Sequence, residues 1–528
     1  MSASRAVQNA EQVPINIVGS STFGIYPKIS AERTYNMFIS DGWLINYAGF
    51  KKKIQFTSTG QGRALFRSIR GGFLIAVEGN SVFRLNDNLV PILLGQLNTT
   101  TGFVSIAENL SSQICLVDGE KAYIYNYSNN TFTVQSLVFV GNPVIPNYVS
   151  YHNSFFLIAS SKTSINPQFW YAFERDTDTT IKVNKQFEIQ TKSDFALSVV
   201  RLPGRGNNVI VLGSSVAEIW TQVGAEENYR RVQSFNIDNG VVSVETIAAS
   251  EEFVAWLAQN ENNSPVIMVT DGGSTKRIST DGIDHILSLI THPDQSSGFF
   301  YRQDGHLFYQ LTFYHPDDNL TLIHDFTTNM FFDVVDEKMN YHPARQVVYF
   351  NERTYFTSIN DASIYEMSPS LITYDYDTTP NTVGNEIPRI RICKSVRKED
   401  SSIFRAGMFT FWIEQGVNKY YLTSDPTDCQ GFVIAQNGDF IIAQNGDFII
   451  TEDFACNDNQ FIPRVDMSFS KNGNQSFSNI VGRELNPAGK YRNQIRWYQM
   501  GQANEFTIQL RFWGFQRFVC GNGVLEVY

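Results

Sequence analysis

Between about Arg63 and Met367 the chain repeats one unit of composition: a short apolar or aromatic run, a turn rich in Gly, Asn or Asp, and a second run. FLIAVEGNSVFRL (residues 73–85), QICLVDGEKAYIYNY (113–127), VIVLGSSVAEIW (209–220), FFYRQDGHLFYQLTF (299–313) and VVYFNERTYFTS (347–358) are instances. Each reads as a β-hairpin, because Gly and Asn supply the positive φ that tight hairpin turns demand. The hairpins recur roughly every 40 to 50 residues without an intervening amphipathic helix of useful length, a blade-type rhythm. Aromatic residues make up 14% of the chain, and these flat side chains suit pleated surfaces. The expectation is an all-β protein whose body is a β-propeller of six or seven blades; no WD or kelch signature supports it, and a stacked sandwich is the alternative.

At TYDYDTTPNTVG (373–384) the text turns polar and turn-rich, and strands of different spacing follow, such as PRIRICKSVR (388–397) and NEFTIQLRFWGF (504–515). Alternation within RIRIC and TIQLRF suggests sheets with one covered face. The chain therefore divides into an N-terminal arm with lead strands (1–60), the propeller (61–370) and a C-terminal β-sandwich-like domain (371–528). An insertion near 430–455 contains IAQNGDFI twice in tandem, at 434–441 and 442–449. Asn437, Gly438 and Asp439, with Asn445, Gly446 and Asp447, form two identical turns. These six residues are candidates for docking a partner, the other reading being a duplication carried on a surface loop.

Function classes fall away by chemistry. Net charge is −11, which argues against a broad phosphate-gripping surface. The basic groups Lys51 to Lys53 and Arg389, Arg391, Lys394, Arg397 and Lys398 read as solvated faces, or as contacts to an acidic partner subunit or DNA. Five widely spaced cysteines without a CxxC pair indicate free thiols rather than disulfides or zinc. MSASRAVQNAEQ lacks the apolar core of a signal peptide and no run reaches about 18 apolar residues, so a soluble chain without a membrane span is expected. No phosphate loop, GxSxG, HExxH or EF-hand spacing occurs, and LPGRGNN (202–208) precedes a strand where a dinucleotide site needs a helix. Two HPD tripeptides, at 292–294 and 315–317, could offer imidazole and carboxylate to one metal, but Pro after His makes two turns the simpler account. No cofactor, metal ligand or catalytic residue is assigned.

The ends of the chain are more specific. SAERTYNMFISDGWLINYAGFKKK (30–53) resembles the opening of phage packaged-DNA stabilisation proteins, the tail-hub or nozzle family of short-tailed phages. VIVLGSSVAEIWTQVG (209–224) is similar to that family's "F-G-S-S-T-I-E" strand pair, and SFSKNGNQSFSNIVGRELNPAGKYRNQIRWYQMGQANEFTIQLRF (468–512) resembles its terminal module. The resemblance implies a non-enzymatic virion tail subunit, assembled in host cytoplasm. It further implies a ring, commonly hexameric, below the portal and adaptor proteins, carrying tail fibres, tailspikes or a needle. Such a ring retains packaged DNA and conducts it through its lumen without tight binding. The alternative is a propeller-bearing glycan-binding or glycan-degrading tail protein, which needs paired carboxylates or an aromatic platform at the propeller mouth.

Overall fold

A computed structural model describes residues 11–23, 32–57, 60–160, 169–174, 182–224, 228–262, 265–378, 384–415, 463–485 and 492–528. These fall into two compact units, one of 22–23 and 50–368, the other of 11–21, 32–49 and 369–528.

The first unit is a propeller. Residues 62–96, 105–135, 146–188, 198–237 and 296–333 each contribute four antiparallel strands in chain order, and residues 240–277 a further small sheet. The last sheet takes three strands from 344–368 and its fourth, Gly49–Gln55, from the N-terminal side of the first blade. Seven blades result among the described residues, at the upper end of the expected range. Closure by a strand from before the first blade joins the two ends of the ring. Phe56 N–H donates to Ala362 O at 3.0 Å, and Lys52 and Lys53 pair with Asp361 and Glu366 at 3.0 and 2.6 Å. Those two lysines, expected on a solvated or partner-facing surface, instead tie the closing strand to its blade.

The apolar runs are continuous rather than alternating because each blade packs on a neighbour at both faces. Gln113–Val117 and His306–Phe313 are buried along their whole length. Ile75 and Val77 of the first blade share a core with Ile114 and Leu116 of the second, while Leu65 and Leu74 share one with Phe350 and Ile364 of the seventh. The hairpin 303–306 shows the turn chemistry: Asp304 and Gly305 both take positive φ, 49° and 86°, the mirror-image turn that matches strand twist. Among the described residues one short α-helix, α1 (Asp281–Leu289), lies between strands; capped by Thr280, it buries Ile283 and Leu287 between the fifth and sixth blades.

The second unit is a sandwich. One sheet runs Met37–Ser40, Trp43–Asn46, Phe518–Val527, Phe404–Gln415, Arg492–Ala503, with Glu11–Ile15 also paired to Phe518–Val527. The other contains Arg33–Tyr35, Arg389–Ile392, Glu505–Trp513, Arg464–Ser470 and Val481–Glu484. Both feed one core, in which Phe409 and Phe411 stack on Trp497 with ring centroids 5.7 and 5.9 Å apart. Of the N-terminal sixty residues, read from sequence as an arm with lead strands, the described strands Glu11–Ile15, Arg33–Tyr35, Met37–Ser40 and Trp43–Asn46 join the sandwich and Gly49–Gln55 closes the propeller.

Arg389 and Arg391 do share a face, but it is buried rather than solvated. Arg389 donates to Gly514 O and Ile372 O at 3.1 and 3.2 Å, and burial pushes its guanidinium down to about 10. Arg391 donates to Ser20 O and Asn16 O at 3.0 and 3.1 Å and pairs with Glu32. Arg391 stitches the N-terminal segment into the sandwich, while Arg389 ties together the backbone at Ile372 and Gly514. Cys115, Cys393 and Cys520 are buried free thiols, as the spacing implied, and burial holds Cys393 up at about 11.

Candidate functional site

The innermost strands bring six of the seven blades around one axial cavity of about 300 Å³, lined among others by Leu65, Ile106, Tyr148, Ala249, Gly298 and Val348. Two of its polar side chains are engaged: Gln346 Oε1 accepts from Leu65 N–H at 2.9 Å, and Ser105 Oγ donates to Val149 O at 2.9 Å. The lining contains no carboxylate, imidazole or amine. A cavity at the small end of the ligand-pocket range, walled by backbone and apolar side chains, offers packing rather than acid–base or nucleophilic chemistry.

Charged groups concentrate at the beginnings of the inner strands, where they hold blades together. Arg345, the second residue of the seventh blade's inner strand, makes a two-point pair with Glu245, Nε to Oε1 at 2.5 Å and Nη2 to Oε2 at 3.0 Å. Its Nη1 donates to Gly62 O of the first blade at 3.0 Å, and Tyr314 Oη donates to Glu245 at 3.2 Å. Burial alone would lower the Arg345 guanidinium, but the Glu245 carboxylate raises it above its ordinary value. Arg63 donates to the carbonyls of Gly79, Thr99 and Gly102 at 3.0, 2.8 and 2.7 Å, locking the first blade's edge to the segment leading to the second. Glu78 is buried and its carboxyl is held well above the usual range by desolvation, although Thr357 Oγ1 donates to it at 2.8 Å. These groups are structural keys.

The two HPD tripeptides are both turns, as expected, and the fold sets them side by side. The first precedes the sixth blade's inner strand, Ser296–Gln303; the second joins His306–Phe313 to Leu320–Asp325. His292 and His315 stack with ring centroids 3.5 Å apart. Burial would raise the Asp318 carboxyl, but N–H groups of Thr291 and His292 and the Thr291 hydroxyl outweigh it and hold it below the ordinary range. The candidate docking residues Asn437, Gly438, Asp439, Asn445, Gly446 and Asp447 lie outside the described residues, as do Cys429 and Cys456.

A protein-family profile described as "Bacteriophage P22 Gp10, beta-propeller", Phage_stabilise, matches residues 26–371. The chain belongs to this family. Phage_stabilise proteins stabilise packaged DNA as structural tail components, so the function here is structural rather than enzymatic or glycan-active. No curated protein matches the sequence. Among solved structures the chain is similar to virginiamycin B lyase from Staphylococcus aureus, at 9% identity and a TM-score of 0.42 over 61% of this chain and 99% of that one. It is also similar to the WD40 β-propeller domain of Doa1, at 10% identity and a TM-score of 0.39 over 61% and 97% of the two chains.

The Phage_stabilise-like GSSVAE segment (213–218) now has a physical role. Its turn forms a nest around Asp194, whose carboxylate accepts from the N–H groups of Ser214, Ser215 and Val216 at 3.0, 2.7 and 3.1 Å. Four residues past Ser214, Glu218 accepts from the N–H groups of Gln190 and Thr191 at 2.9 and 2.6 Å and from the Trp220 indole at 3.0 Å. The motif staples the fourth blade to the segment leading into it. Asp194 and Glu245 carry no mark in the sequence, because their partners lie some twenty and a hundred residues away.

Proposed function

We propose that the chain is one subunit of a closed, six-fold tail ring below the portal and adaptor proteins, retaining packaged DNA and conducting it during ejection. The observation that carries this reading is the Phage_stabilise match across the propeller and the segment that closes it. A propeller closed by its own N-terminal strand and pinned by buried ion pairs suits a part that must stay rigid under load. Repetition of a subunit of net charge −11 favours an acidic assembly that repels duplex phosphates and lets DNA slide. The tandem turns at Asn437-Gly438-Asp439 and Asn445-Gly446-Asp447 dock fibres, tailspikes or a needle on the outside of the ring. In this reading the protein is assembled in host cytoplasm and resides in the virion tail. Negative-stain imaging of the purified chain mixed with its adaptor tests it. Closed six-fold rings are expected, and a mixture that stays monomeric overturns the proposal.

A further inference from the structure

The paired HPD turns carry more chemistry than two turns require. A nitrogen of His292, a nitrogen of His315 and a carboxylate oxygen of Asp317 lie within 4.8 Å of one another. His315 Nδ1 stands 3.5 Å from Asp317 Oδ2. Two donors each about 2.1 Å from a tetrahedral metal ion are about 3.4 Å apart, so this pair is already at coordinating separation.

A second observation concerns which ring atom of His292 is free to coordinate. Thr291 Oγ1 lies 2.9 Å from Asp318 Oδ1 and 2.8 Å from His292 Nδ1. A hydroxyl has one hydrogen, and the carboxylate has none to give, so Thr291 donates to Asp318 and accepts from His292. His292 Nδ1 must therefore carry the proton, which leaves the lone pair on Nε2. Asp318 is itself fixed by the N–H groups of Thr291 and His292, at 2.7 and 2.8 Å. The chain from carboxylate through hydroxyl to imidazole is the support that a metal-binding histidine uses to set its tautomer and orientation. On the other turn, Asp317 N–H donates to His315 Nδ1 at 3.3 Å and the two rings stack, so binding an ion replaces that hydrogen bond and swings the rings apart until both lone pairs converge.

We propose that His292, His315 and Asp317 bind one divalent transition-metal ion, with Thr291 and Asp318 orienting His292. Two imidazoles and one carboxylate select zinc, cobalt or nickel over magnesium or calcium, which prefer all-oxygen shells. The side chains of His292 and His315 are 39% and 22% exposed, so an ion reaches them directly from solvent. Three protein ligands leave a fourth position for water or for a side chain of another protein. Bound there, the ion cross-links the turn before the sixth blade's inner strand to the turn between its second and third strands.

The test is titration of the full chain with Co²⁺, read by its visible absorption, followed by displacement with Zn²⁺. Saturation at one equivalent with tetrahedral-type bands is expected, together with a rise in thermal midpoint on adding Zn²⁺. His292→Ala and His315→Ala should abolish the bands. Thr291→Val should weaken binding by about ten- to a hundred-fold, and Thr291→Ser should restore it. Circular dichroism establishes that each variant folds; should either alanine variant fail, His292→Gln and Asp317→Asn read the same loss. Absence of saturable binding overturns the proposal, and so does one-equivalent binding that survives in folded His292 and His315 variants, since the ion then sits elsewhere.

Discussion

Arg345 and Glu245, a hundred residues apart in sequence, meet as a buried two-point ion pair whose arginine also caps the carbonyl of Gly62. Arg345 is the second residue of the seventh blade's inner strand, Ala344–Phe350, and Gly62 the first of the first blade's, so the arginine sits where the propeller closes. Removing one partner leaves the other a buried charge without its counter-ion. Glu245→Ala or Arg345→Ala should each destabilise the chain by about 3–5 kcal/mol. Replacing both by apolar residues of similar volume should recover most of that loss. Urea unfolding of the two single variants and the double one measures it; additive losses contradict the pairing.

Phe50 is fully buried on the closing strand, with edge-on contacts to Phe356 and Tyr365 at 5.4 and 5.3 Å between centroids. Phe50→Ala should cost about 3–5 kcal/mol and should raise amide exchange along Arg353–Ser358 and Ser363–Ser368 more than in the second or third blade. A variant as stable as the parent shows that the closing strand does not hold the ring together.

Acid sensitivity has a definite sign. Burial pushes His342 and His324 down to about 3 and about 4, so the folded chain refuses protons that the unfolded chain takes up below about 6.5. Their contribution is complete above about 6.5 and is lost as pH falls toward those values, at up to about 1.4 kcal/mol per unit for each histidine. Glu78 acts oppositely: its raised carboxyl keeps a proton that the unfolded chain releases above about 4.5, so its contribution grows toward acid and fades as pH rises. His152 is lowered and Glu386 raised by burial in the same way, and the three histidines outweigh the two carboxyls between pH 6.5 and 5. The urea midpoint should fall over that interval, and the His324→Asn/His342→Asn variant should show a flat or reversed dependence.

Deleting residues 442–449 removes one IAQNGDFI unit and preserves the alternation of whatever strand follows. The shortened chain should fold with an unchanged thermal midpoint, while particles carrying it should lose an outer tail component. Quantitative mass spectrometry of purified particles provides the comparison. A full complement of fibres or spikes together with normal infection removes the docking role.

The hairpins, the all-β class and the propeller with a sandwich after it are legible in the sequence, because turn residues and apolar runs act within a few positions of one another. Asp304-Gly305 makes its turn wherever it is placed. The two HPD turns and the shared face of Arg389 and Arg391 are local in the same sense. Only tertiary structure decided what those local features meet. Alternation puts the two arginines together, but whether water reaches Arg391 depends on Asn16 and Ser20, some 370 positions away, and Arg389 is taken up by the carbonyls of Ile372 and Gly514. Long separation likewise hides the seventh blade, whose fourth strand precedes the first blade, whereas the stacking of His292 on His315, close in sequence, follows from the sheet that holds both turns. A side chain's conformation is set by its neighbours in sequence, but its solvation and charge partners are set by neighbours in space, and long loops can supply those from anywhere in the chain.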